Sequence, residues 1–142
     1  GIDIVQAKYS ILDRAVEKEL LPACIEKGIA FQAYSPLEQG LLTGTCTRDY
    51  KPVGSQRTKK WFQPENFQKA MDFVDGLSGL CEKYECTVPS LVMAWILAQS
   101  ENITILSGST SLDELVPNMQ ALDIKLSNED ITLMREMAES IE

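Results

Sequence analysis

The sequence predicts an α/β fold in which short parallel strands alternate with covering helices. Three observations carry that expectation. Apolar runs at residues 2–9, 28–34 and 103–106 have the length of strands, and between them apolar residues recur at helical spacing. The run Gly28-Ile-Ala-Phe-Gln-Ala-Tyr34 contains no charged residue, as suits a strand covered on both faces. The resulting order, β-α-β-loop-α-α-β-α-α, is that of parallel βα units joined by right-handed crossovers.

Each element has a local cause. Asp13 can cap a first helix whose Val16, Leu20, Leu21, Cys24 and Ile25 form one apolar stripe, and Gly28 supplies its left-handed stop. Residues 40–62, with Gly44, Pro52 and Gly54, read as loop. Pro64 suits the first turn of a long helix carrying Phe67, Ala70, Met71, Val74, Leu77, Cys81 and Tyr84 on one side. Gly76 and Gly79 weaken its middle by about 1 kcal/mol each. Thr87 caps a helix over residues 88–99 that is apolar almost all round and therefore buried. Ser111-Leu-Asp-Glu114 has capping-box spacing, Leu115, Met119 and Leu122 follow on one face, and Pro117 should kink that helix. Ser127 caps the last helix, with Leu126 and Ile131 placed for a hydrophobic staple.

Composition narrows the function. A chain of 142 residues with 44 % hydrophobic and 24 % charged residues is one globular domain. A net charge of −8 argues against a nucleic-acid surface and against anionic lipid. The basic stretch Arg57-Thr-Lys-Lys60 reads as a solvated loop. No apolar run is long enough to span a bilayer, so no membrane association is expected. Four cysteines without C-x-x-C spacing point to reduced thiols in a cytoplasmic protein rather than to a metal site. The chain has no histidine, which excludes Ser-His and Cys-His nucleophile pairs and leaves Tyr, Lys, Asp, Glu or Cys to do any chemistry.

Parallel βα architectures place ligands beyond the carboxyl ends of their strands. Here that position holds Tyr9-Ser10, residues 34–44 and residues 107–111. The last is a Gly/Ser loop entering a helix, suited either to a phosphate or to capping alone. In the second, Tyr34 offers a flat ring at a strand end, and Gly40 and Gly44 allow close approach of backbone to a ligand. The alternative is a turn that merely needs glycine, with Tyr34 packed in the core.

Several longer runs occur in a telling order: Asp3-Ile-Val-Gln-Ala-Lys-Tyr-Ser-Ile-Leu-Asp-Arg14, Gly28-Ile-Ala-Phe-Gln-Ala-Tyr-Ser-Pro-Leu-Glu-Gln-Gly-Leu-Leu-Thr-Gly44, Trp61-Phe-Gln-Pro-Glu-Asn-Phe67, Ala94-Trp-Ile-Leu-Ala-Gln99 and Ala121-Leu-Asp-Ile-Lys-Leu-Ser127. Over essentially the whole chain they resemble the aldo-keto reductase family, in the branch that includes the potassium channel β-subunits. The resemblance implies that residues 1–142 are the C-terminal part of a (β/α)8 TIM barrel: the last three βα units plus the C-terminal helix, with three parallel strands and flanking helices. A whole barrel takes about 250 residues. It also implies reduction of a small-molecule carbonyl substrate with NADP(H) in the parent protein. The family's catalytic Asp, Tyr, Lys and His lie in the N-terminal part and have no counterpart here; Tyr9 is not that tyrosine.

What carries over by resemblance is cofactor contact. Tyr34 matches the residue stacked on nicotinamide and Gln6 the one bonded to its carboxamide. Ser35, Leu37, Gln39, Gly40 and Leu41 match the turn around the pyrophosphate, and Arg57 a loop arginine that clamps phosphate. Gly108, Ser109 and Thr110 match the loop at the 2′-phosphate, Glu114 and Asn118 the adenine side. Ser107, Thr110, Glu114 and Pro117 depart from the usual family residues, and a carboxylate at 114 would repel a 2′-phosphate. Three strands leave two open sheet edges, so self-association or pairing with the missing N-terminal part is expected. The strand that opens the chain without a leader fits a piece of a longer protein, inactive by itself.

Overall fold

Strands β1 (Ile4–Lys8), β2 (Ala30–Tyr34) and β3 (Ile103–Ile105) form one parallel sheet, in the order β1-β2-β3, in the computed structural model, which describes residues 1–142. Gln6 lies opposite Gln32 and Gln32 opposite Thr104, while Lys8 lies opposite Tyr34. Tyr9 N–H donating to the Tyr34 carbonyl (3.2 Å) and Leu106 N–H donating to that of Ala33 (2.9 Å) carry the ladder past the strand ends.

Six α-helices flank the sheet: α1 (Leu20–Lys27), α2 (Pro64–Gly76), α3 (Ser78–Lys83), α4 (Val88–Leu97), α5 (Leu112–Met119) and α6 (Asn128–Glu139). Alternation along the strands assigns the two sheet faces. Phe31, Ala33 and Ile103 are buried, and Val5, Ala7 and Ile105 pack against the same cluster, so this face lies under the helices. Ile4, Gln6, Lys8, Gln32, Tyr34 and Thr104 occupy the opposite face, where Ile4 and Tyr34 are about half exposed. Burying a side chain such as Phe31 contributes about 2–3 kcal/mol.

The core is organised around α4, in which every residue from Ser90 to Ile96 is buried. Trp95 meets Tyr9 edge to face, donates its indole N–H to the Ile131 carbonyl (3.0 Å), and carries the Arg135 guanidinium over its ring. The caps expected at Thr87 and Ser127 form: their hydroxyls accept from Ser90 N–H and Asp130 N–H. Leu126 and Ile131 both pack on the core.

Several local expectations change. Asp13 does not cap the first helix, because one of its carboxylate oxygens binds Lys8 (3.1 Å) while its backbone bridges to Ser10. A short 3-10 turn, Ala15–Glu17, intervenes and α1 starts at Leu20, which places Pro22 in the first turn, where it needs no N–H. The stripe narrows to Leu21 and Cys24; Leu20 and Ile25 stay largely exposed. The long helix divides at Leu77 into α2 and α3, and a Cβ on Gly76 would lie 3.0 Å from Met137 Cε, so α6 packs closely there.

The capping box at Ser111 does not close: Ser111 makes no side-chain cap bond, and Glu114 reaches back to Thr110 instead. Beyond Pro117 the helix runs only to Met119 before tightening into the 3-10 turn Gln120–Leu122. The loop at residues 40–62 is partly internal, burying Leu41, Leu42, Trp61 and Phe62, with Tyr50, Phe62 and Phe67 in mutual ring contact.

One buried carboxylate ties α6 to α3. Asp130 accepts from Lys83 Nζ (2.7 Å) and from the Tyr84 hydroxyl, and those donors hold its carboxyl down at about 2. A carboxyl depressed in the folded state contributes its full stabilisation above the ordinary carboxylate range and loses it as pH falls through the lowered value. Stability against urea should therefore fall between about pH 4 and pH 2, and Asp130→Asn should flatten that decline while lowering stability at neutral pH. An unchanged acid profile in the variant would assign the decline to other groups.

Candidate cofactor-binding site

The open face of the sheet presents its polar residues in rows. Gln6 Nε2 donates to Gln32 Oε1 (2.8 Å), joining two carboxamides across neighbouring strands. Tyr34, one step nearer the carboxyl end, is 45 % exposed. Of the two readings left open for this ring, the packed core is the one the structure removes. Tyr9 has the opposite environment: it is fully buried between Phe31 and Trp95, and its hydroxyl donates to Glu17. Burial first, then the Glu17 carboxylate, push its ionisation far above the normal range, so it is no proton donor to a ligand.

After Tyr34 the chain turns through backbone that side chains disfavour. Ser35, Glu38 and Gln39 have φ of 52°, 49° and 57°, and Gly40 has 98°. Left-handed conformation costs a non-glycine residue roughly 1–2 kcal/mol, so other contacts must hold the segment. The strongest is Glu38, whose side chain is 4 % exposed. Its carboxylate accepts from Ser10 Oγ (2.5 Å) and from Lys8 Nζ (2.9 Å), both at the end of β1. Burial lowers the Lys8 ammonium's pKa, and the Glu38 and Asp13 carboxylates more than offset this, leaving it above its ordinary value. From the other side Gln56 Nε2 donates to the Gln39 carbonyl (3.0 Å).

The turn and the loop after β3 enclose two adjoining clefts. The first, about 290 Å³, is lined by Ser35, Leu37, Gln39, Gly40, Ser107 and Gly108, among others. The second, about 280 Å³, shares Leu37, Thr43 and Gly108 and adds Asp113, Glu114, Pro117 and Asn118. Seven of the residues carried over by resemblance thus meet around Leu37 and Gly108, with Gln6 and Tyr34 on the sheet beside them. Asn118 Nδ2 donates to Ser107 Oγ (3.4 Å), and Glu114 accepts from Thr110 N–H (2.9 Å) and Thr110 Oγ1 (3.0 Å). Those two donors hold the Glu114 carboxyl below its ordinary range.

Apart from Gln6 and Tyr34 on the sheet, four of the expected residues line neither cleft: Ser109 and Thr110, in the loop before α5, and Leu41 and Arg57. Leu41 is fully buried, which leaves only its main chain for a ligand. Arg57 lies on the 3-10 turn Gly54–Thr58, donates to the Pro52 carbonyl (3.3 Å) and lines neither cleft. Its neighbour Gln56 is the loop residue that reaches the turn. Glu38, Gln32 and Gln56 carried no sequence signal: a lone Glu or Gln in a polar turn reads as solvent-facing until the fold shows what it touches.

A dinucleotide needs hydrogen-bonding groups left over by the protein itself. The Ser109 hydroxyl is the one buried side-chain polar atom without a partner; it lies in the loop between β3 and α5 and lines neither cleft. What the open surface does present, an exposed aromatic ring, a paired carboxamide and a cleft continuing to the N-terminus of α5, fits a nicotinamide dinucleotide.

The fold is that of a (β/α)8 barrel segment. The Aldo/keto reductase family model matches residues 1–139, and the chain belongs to that family. It is 58 % identical over 141 residues to the NADH-specific methylglyoxal reductase of Escherichia coli K12, covering 99 % of this chain and 43 % of that protein. Against probable aldo-keto reductase 1 of Glycine max the identity is 34 %, covering 99 % and 40 %. The solved glycerol dehydrogenase AKR11B4 of Gluconobacter oxydans superposes with a TM-score of 0.90 at 24 % identity, covering 96 % of this chain and 42 % of that one. The chain therefore spans about two fifths of the length of the relatives it matches.

Gly40→Ala tests the turn in isolation. An added Cβ would meet nothing within 4 Å, so any cost is conformational. The expected loss is about 1–2 kcal/mol in urea unfolding; a neutral substitution would mean the turn does not hold this backbone.

Proposed function

We propose that this chain is the C-terminal part of an aldo-keto reductase that reduces a small carbonyl compound, a ketoaldehyde such as methylglyoxal being the first candidate, with NADH in preference to NADPH. When bound, NADH supplies the hydride. Tyr34 offers the face on which the nicotinamide ring rests, and Gln6, oriented by Gln32, recognises its carboxamide. The turn from Ser35 to Leu41 holds the pyrophosphate side, the loop at Gly108, Ser109 and Thr110 faces the ribose position where NADPH would carry its 2′-phosphate, and Glu114 and Asn118 flank the adenine side. The general acid comes from the N-terminal part of the parent, so residues 1–142 alone are inactive and bind cofactor weakly. The four free thiols support a cytoplasmic setting.

We depart here from the NADP(H) that the family resemblance implies. The observation that carries the choice is the Glu114 carboxylate on the Thr110 N–H and hydroxyl, in the loop that would otherwise serve a 2′-phosphate. An anion of the protein's own already uses those donors, and Asp113 lines the same cleft, so a second anion meets repulsion. The 58 % identity to a relative named as NADH-specific supports the same choice.

A second reading concerns partners. Ile2 just before β1, Ile4 in it, and Leu112, Val116 and Leu122 on and after α5, are all more than half exposed, and β1 and β3 each pair on one side only. Those surfaces favour pairing with the rest of the barrel or, without it, with a second copy.

Binding titrations on the full-length parent decide the cofactor. NADH should bind at least about tenfold tighter than NADPH, a difference of about 1.4 kcal/mol, and Glu114→Gln should narrow the gap by strengthening NADPH. Equal affinities in the unaltered protein would overturn the NADH preference.

A further inference from the structure

We propose that Glu38 is a positioning residue for the cofactor turn: its buried carboxylate, clamped by Ser10 and Lys8, holds the left-handed segment after Tyr34 in the one shape that receives the dinucleotide. The inference rests on reading residues 34–41 as the cofactor turn.

The argument starts from an imbalance. A carboxylate at an exposed turn should point into water, where it is solvated without cost. Glu38 instead turns inward until its side chain is 4 % exposed, and it does so from a residue with φ of 49°. Both choices are unfavourable alone. They become favourable together only because Ser10 Oγ and Lys8 Nζ stand ready at 2.5 Å and 2.9 Å. Charge-assisted bonds of this kind are strong and directional.

The geometry also says what the clamp does. Lys8, at the end of β1, is the register partner of Tyr34 at the end of β2, so the bond from Lys8 to Glu38 ties the strand beside the ring to the turn that follows the ring. Lys8 is itself held by Asp13 (3.1 Å), and Ser10 Oγ accepts from the N–H groups of Leu12 (3.2 Å) and Asp13 (3.0 Å). The anchor is therefore rigid on the β1 side. On the turn side, Glu38 sits between Leu37 and Gln39, both of which line the cleft. Releasing the carboxylate would let Ser35, Glu38 and Gln39 relax out of left-handed backbone, moving the cleft wall without touching the reacting atoms. Glu38 itself lines neither cofactor cleft, so its effect is indirect.

The test uses the full-length parent protein with NADH. Glu38→Gln keeps the shape and the acceptor for Ser10 but removes the charge that Lys8 holds. Ser10→Ala removes the other donor and serves if Glu38→Gln fails to fold. Tyr34→Ala reports on the cofactor reading, and Asp130→Asn serves as a destabilised variant remote from the turn. The expected result is an NADH Kd raised about tenfold in Glu38→Gln and Ser10→Ala, with kcat at saturating NADH within about twofold, a clear loss in Tyr34→Ala, and an unchanged Kd in Asp130→Asn. If Tyr34→Ala weakens NADH while the two clamp variants leave Kd unaltered, the positioning role is overturned and the cofactor reading stands. If Asp130→Asn raises Kd as much as Glu38→Gln does, the effect is general loss of stability and the role is equally overturned. An NADH Kd indifferent to Tyr34→Ala would remove the cofactor reading and the inference with it.

Discussion

Parallel strands cannot be joined by a tight turn; each must be returned to the same end of the sheet by a crossover of a dozen residues or more. In this chain the crossovers carry helices, and all of them lie on the face that Phe31, Ala33 and Ile103 present. The rest follows from that restriction. One sheet face is sealed by α4 and its neighbours, the opposite face keeps Gln6, Gln32 and Tyr34 available, and all three carboxyl ends gather at one rim. The Tyr34 turn and the Gly108 loop share a cleft because both are strand-to-helix connections leaving that rim.

At the rim, hydrophobic burial gives way to charge. The helix-covered side is held by a cluster of 24 buried apolar residues, whose contribution is non-directional and tolerant of small shifts. A surface that must match a ligand needs directional contacts. Lys8, Ser10, Asp13 and Glu38 supply them, as a compact group in which one buried carboxylate is bonded on two sides. Thr110 and Glu114 repeat the device more modestly at the other loop, where the carboxylate is exposed. A backbone forced through three left-handed non-glycine residues is sustainable only in such company.

The division between what was legible in the sequence and what was not follows the same physics. Strands, the all-round apolar helix at residues 88–99 and the hydroxyl caps at Thr87 and Ser127 depend on nearest neighbours, and pattern reasoning found them. Asp13 misled because its carboxylate has a better partner in Lys8, five residues back. The break at Leu77 depends on α6 packing against Gly76, and the open capping box at Ser111 on Glu114 choosing Thr110. Glu38 depends on a lysine and a serine about thirty residues away. Such contacts exist only after the chain has folded. For the site itself, seven of the residues carried over by family resemblance line the two clefts, while Arg57 lines neither and its neighbour Gln56 reaches the turn; the two are adjacent in sequence, and only contact geometry separates them.

The carboxamide pair on the open face has a consequence for whatever completes this sheet. Gln6 and Gln32 use one donor and one acceptor on each other, while two such groups carry several more, and Thr104 stands in the same layer. Barrel interiors are otherwise filled by branched aliphatic side chains. Any surface that covers this rung therefore meets free amide and hydroxyl valences: hydroxyl, amide or ionic groups at that height can satisfy them, and a purely oily complement would leave them unpaired.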